Sequence, residues 1–74
     1  MEKFLRELTR KINQNCYLRS YKITIELIDE IVYVRGKVKI YYHKQMVTFV
    51  VHQTVKQFFG KASIPFRNEV EVIR

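Results

Sequence analysis

One cysteine, one proline and two glycines are spread over 74 residues, and each shortage removes a class of explanation. With Cys16 alone, no disulfide closes within the chain and no cysteine-rich zinc site assembles. The expected place for its thiol is buried or half-buried among apolar neighbours. Gly36 and Gly60 are too few and too far apart to cradle a phosphate, and no Walker loop, dinucleotide turn or HExxH motif is present. Long apolar runs are missing too: uninterrupted apolar stretches last only a few residues, whereas a membrane-spanning helix needs about 20. The beginning, Met1-Glu2-Lys3-Phe4-Leu5-Arg6, lacks the apolar core of a secretory signal. The expectation for the chain as written is therefore the cytoplasm; cut from a longer precursor, it would be periplasmic or envelope-associated.

Acid is also scarce. Seven Asp and Glu stand against 14 Lys and Arg, a formal net charge of +7. On so small a body that favours anionic partners, either nucleic acid or acidic lipid headgroups, although charge of this size also serves plain solubility. Hydrophobic residues make up 47%, enough for one folded domain over residues 1–74. Chains of this length draw a net stability of only about 3–5 kcal/mol from a single core.

Phe4, Leu5, Leu8 and Ile12 recur at helical spacing and predict an amphipathic helix from Glu2 to about Asn13. Glu2 with Arg6 and Glu7 with Lys11 stand four apart, acid first, and Asn15 is placed to end the helix in a left-handed conformation. Tyr21, Ile23, Ile25 and Leu27 alternate with Lys22, Thr24 and Glu26, which predicts a strand with the first set inward. Asp29-Glu30 then turns the chain into a second, antiparallel strand with Val32, Val34 and Val38 inward and Tyr33, Arg35, Lys37 and Lys39 outward.

A second helix is predicted from near Tyr42 to Gly60, with Val47, Val50, Val51, Thr54, Val55 and Phe58 on one face. Its β-branched residues make a strand over Met46 to Val51 the competing assignment. Pro65 sets the last strand to begin near Phe66. The order αββαβ predicts an α+β domain with two helices on one face of a three-stranded sheet and the other face open to solvent.

The outward residues of that sheet are the first candidate site. Tyr33, Arg35, Lys37 and Lys39, with Lys22 beside them and Lys44 at the start of the second helix, offer an anion site for a lipid headgroup or a phosphate. Glu26, Glu69 and Glu71 are expected on the same face, where cross-strand ion pairing explains much of the pattern. Tyr41, Tyr42, Met46, Phe49 and Phe59 lie off the main stripe of the second helix or at its ends. They suit a protein contact, a homodimer patch or a bilayer interface, or simply widen an apolar face. His43 and His52, nine residues apart on one helix, point to opposite sides and cannot share a metal. No cofactor is implied, and an enzyme would need a partner to complete a site around His43 or Cys16.

Val32-Tyr33-Val34-Arg35-Gly36-Lys37-Val38, then Tyr41-Tyr42-His43-Lys44-Gln45 opening a helix, then Gly60 and Asn68-Glu69-Val70-Glu71-Val72, form a pattern that resembles the BON domain. This is a small αββαβ module of bacterial envelope and stress proteins. The resemblance covers nearly the whole chain. BON domains often carry a valine directly after the helix-closing glycine; here Lys61-Ala62-Ser63-Ile64 follows, and Ile64 is expected to take that packing role after a longer turn. The resemblance implies a non-enzymatic module that associates with phospholipid surfaces or with other proteins, and it carries over no residue-level site. The alternative is a nucleic-acid-binding domain that uses the basic, tyrosine-containing sheet face.

Overall fold

The structure, a computed structural model, describes residues 1–60 and 64–73. Helix α1 (Glu2–Gln14) is followed by strands β1 (Thr24–Ile28) and β2 (Ile31–Val38), helix α2 (Tyr41–Phe59) and strand β3 (Phe66–Val72). The fold is α+β in the order αββαβ. The sheet order is β1-β2-β3, with β1 antiparallel and β3 parallel to β2, so α2 is the crossover between two parallel neighbours.

The hairpin needs only Asp29 and Glu30 between Ile28 and Ile31, and both have positive φ, 50° and 65°. Two consecutive left-handed residues give the turn whose twist matches that of the strands it joins. The alternation of β2 then places Val32, Val34 and Val38 under the helices, fully buried with Val70 of β3.

Both helices bury their stripes against that face. Phe4, Leu8 and Ile12 of α1 meet Val47, Val50, Val51 and Val55 of α2 in one core, with Leu5, Ile23, Ile25 and Val72 half-buried around it. Six of the 19 residues of α2 are β-branched, a composition that lowers helix propensity. Five of them, all but Thr48, are buried between α1 and the sheet, so burial, not propensity, holds the helix. Thr54, fully buried, donates its hydroxyl to the Val50 carbonyl at 2.8 Å and so adds no unsatisfied group.

Several expectations need correction. Asn15 ends α1 in an extended conformation, φ −70° and ψ 129°, and its side-chain oxygen accepts the Tyr17 N–H instead. Glu7 pairs with Arg10, three residues on, while Lys11 reaches Gln57 of α2. Cys16 is exposed, because the turn after α1 sends Leu18 into the core instead. Phe58 stays largely exposed at the end of α2 with its ring edge-on to Phe4, and Phe59 packs against the core in its stead. Leu27 is also exposed, since α1 covers β1 only in part. Ile64 packs against the core as expected, while Lys61, Ala62 and Ser63 lie outside the described residues.

Gly36 has a definite reason. A Cβ there would stand 2.9 Å from the Lys22 carbonyl oxygen and 3.3 Å from the Ile23 Cα. The neighbour that requires glycine is thus the backbone entering β1, not a helix or a bulge.

Candidate functional site

The open sheet face carries Thr24, Glu26 and Ile28 of β1, Ile31, Tyr33, Arg35 and Lys37 of β2, and Arg67, Glu69 and Glu71 of β3, as the two registers require. Its charges balance: Arg35, Lys37 and Arg67 against Glu26, Glu69 and Glu71. The balance is local as well. Arg35 donates from Nε to Glu69 at 2.8 Å, and its Nη1 lies 3.6 Å from Glu26. Its guanidinium covers the Tyr33 ring, 4.8 Å from the centroid. Hydrogen bonding to Glu69 raises the Arg35 pKa further above its ordinary value.

Arg67 and Tyr33 are register partners, as are Lys37 and Glu71. A shallow depression on this face is lined by Arg35, Gly36, Lys37, Glu69 and Glu71, two cations against two anions. The sheet face therefore attracts an incoming phosphate weakly, because its three cations are matched by three carboxylates, two of them paired with Arg35.

Two of the expected sheet-face residues lie just beyond the paired strands. Lys22 precedes β1, and Lys39 follows the last residue of β2. They belong to a corner formed where the segment 15–23 meets the junction of β2 and α2. The Tyr21 hydroxyl is the joint: it accepts the Lys39 N–H at 3.3 Å and lies 2.8 Å from His43 Nδ1. Which of the two groups donates in the second contact follows the tautomer of His43.

Around this joint the aromatic rings cluster. Tyr17 meets Tyr42 edge-on at 5.5 Å and His43 at 5.8 Å, and Tyr21 meets His43 at 5.5 Å. Ile40 and Tyr41 project beside them, 52% and 62% exposed, and Tyr42 is half exposed. Arg19, Lys22, Lys39 and Lys44 flank these residues along the chain, and neither contributing stretch, Asn15 to Ile25 or Ile31 to Asn68, contains an acidic residue. Helix α2 begins here at Ile40 with no side-chain cap and no acid in its first turn, so its dipole adds positive potential.

Other expected interface residues divide. Phe49 is exposed on the outer side of α2, whereas Met46 and Phe59 are half-buried against the core and serve packing. Lys44 is half-buried, and its carbonyl accepts the Asn68 side-chain N–H at 2.9 Å. His43 and His52 point apart as expected, His52 lying beside Phe66. Among the described residues, no group of three His, Cys, Asp or Glu could hold a metal ion, and no helix is long and apolar enough to cross a membrane.

Sequence reasoning missed Tyr17, Arg19 and the pairing of Tyr21 with His43. Local periodicity puts Tyr21 on a strand face, and the contact with His43 joins residues 22 apart, so it leaves no mark in that pattern. The available signal was the grouping of four of the five tyrosines into two short segments, each flanked by Lys or Arg. Compared with protein-family models, curated proteins and solved structures, the chain finds no match.

Proposed function

We propose that the chain is a non-enzymatic binding module that docks onto anionic phospholipid surfaces through the corner between β2 and α2. The observation that carries this reading is that exposed Ile40, Tyr41 and Tyr42 stand between Lys39 and Lys44 at the start of α2, with Arg19 and Lys22 on the segment whose Tyr21 bonds this junction. Tyrosine suits the headgroup layer, with an apolar ring and a polar tip. Basic side chains near an anionic leaflet contribute about 1 kcal/mol each, so four would supply about 4 kcal/mol at low salt. Shallow insertion of Ile40 and Tyr41 adds to that attraction. The BON-like pattern of the sequence is consistent with the same partner class.

The test is flotation with vesicles of phosphatidylcholine alone and of phosphatidylcholine mixed with phosphatidylglycerol. Binding only to the mixed vesicles, weakened by Lys39→Glu and by Tyr41→Ser more than by Arg67→Glu on the sheet face, is the expected result. Absence from both vesicle types removes the proposal. A single-stranded oligonucleotide, titrated at several salt concentrations, is the parallel arm: binding lost on Arg35→Ala, with a steep salt slope, favours the nucleic-acid alternative on the sheet face.

A further inference from the structure

The two edges of the sheet are not equivalent. The Val32 N–H donates to Pro65 and the Ile73 N–H to Val38. Even-numbered residues of β2 therefore address β3, and odd-numbered ones address β1. In β3 the even-numbered residues turn their backbone groups to the open edge, and there the Val70 N–H is already taken by the side-chain oxygen of Asn68 at 3.1 Å. The amide nitrogen of the same Asn68 donates to the Lys44 carbonyl and the Thr48 hydroxyl, both at 2.9 Å, tying that edge to α2.

In β1 the pairs Ile28↔Ile31, Glu26↔Tyr33 and Thr24↔Arg35 face β2, which leaves the N–H and C=O groups of Ile25 and Leu27 pointing outward. Among the described residues nothing hydrogen-bonds them. The side chains here sort by face. Toward the helices, Ile25 is half-buried and Leu27 is 40% exposed. Toward the open face stands Glu26, and the turn adds Asp29 and Glu30, so three of the seven acids fall within this hairpin. Only Glu26 of the three has an ion-pair partner among the described residues, Arg35 at 3.6 Å.

We infer that the β1 edge takes up an extended segment of a partner protein as a fourth strand, apolar on the side facing Ile25 and Leu27 and basic on the side facing Glu26. β2 is the template for this chemistry: it already pairs with β1, presenting Val32 and Val34 on one face and Arg35 on the other. Strand addition supplies main-chain hydrogen bonds for affinity and alternate side chains for selectivity. A second copy of this chain, paired antiparallel about the centre of β1, would set Glu26 against Glu26 with the acidic turns at opposite ends of the pair, and it lacks the basic side that Glu26 calls for. The inference is independent of the lipid-binding corner.

The test uses the full chain and two synthetic peptides, one alternating valine with arginine and the other valine with glutamate, followed by amide chemical shifts. The arginine peptide is expected to bind and to shift the amides of Ile25 and Leu27, with the glutamate peptide inert. Leu27→Pro removes one outward N–H that bonds nothing in the fold and should weaken binding about five- to tenfold. If that variant does not fold by circular dichroism, a peptide N-methylated at its central valine against the unaltered chain gives the same reading. Equal binding of both peptides, shifts confined to β3 or the tyrosine corner, or undiminished binding after loss of the edge hydrogen bond overturns the inference. So does a dimer of the chain alone, by sedimentation, that Leu27→Pro dissolves, since the occupant is then a second copy.

Discussion

Gly36, Gly60 and Glu30 occupy backbone positions where one methyl group or its absence decides the energetics. At Gly36 the obstacle is main chain, with the Lys22 oxygen 2.9 Å from the added Cβ, and main chain in a sheet cannot swing aside. Gly36→Ala should cost about 1–3 kcal/mol, read as a lower urea midpoint at unchanged slope. Gly60 has open space around it but a φ of 65°, so Gly60→Ala should cost about 1–2 kcal/mol from conformation alone. Glu30 has the same φ without glycine's freedom. Glu30→Gly is therefore expected to raise stability, by about 0.5–1 kcal/mol, in the same urea assay. Gly60 was legible in the sequence as the end of the second helix, and Asp29-Glu30 as a turn. That Glu30 is left-handed was not, since nothing in its side chain asks for that conformation.

At the scale of elements, the helices differ in what holds them. Surface pairs serve α1: Arg10 hydrogen-bonds both carboxylate oxygens of Glu7, at 2.6 and 2.7 Å. That hydrogen bonding holds the Glu7 carboxyl below its ordinary pKa. A depressed folded-state pKa contributes stability that is present above the unfolded-state value and is lost as pH falls through the folded one. Glu7→Gln should therefore flatten the acid limb of the stability–pH curve while leaving most of the core's contribution intact. Helix α2 depends on Val47, Val50, Val51 and Val55 meeting the sheet and α1. A peptide of Tyr41–Phe59 alone should show little helical circular dichroism in water. The rivalry between helix and strand over Met46 to Val51 was real in the sequence, and the burial of these valines resolves it.

For the whole molecule, the distribution of charge matters more than its sum. The sheet face carries three cations and three carboxylates, leaving the net charge to the helical layer and the segments around the β2–α2 junction. Vesicle binding should accordingly weaken steeply with salt. Charge reversal at Lys39 should lower it more than reversal at Arg67, in flotation assays run on both variants. The hairpin end is the counterpole, where Glu26, Asp29 and Glu30 gather away from the basic corner.

The sequence by itself determined the element order, the turn at Asp29-Glu30, the inward valines of β2 and α2 and the net charge of +7. Each of these is written in local periodicity, local backbone preference or simple addition. Tertiary structure decided what those elements expose. It placed Glu69 beside Arg35 and so balanced the face that looked most basic, joined Tyr21 to His43 and so gathered four tyrosines toward one corner, and capped the Val70 N–H of one sheet edge with Asn68 while leaving Ile25 and Leu27 on the other without partners among the described residues. All three depend on contacts between residues 2 to 34 positions apart whose geometry only packing supplies. Charge and pattern are properties of the chain, whereas pairing is a property of the fold.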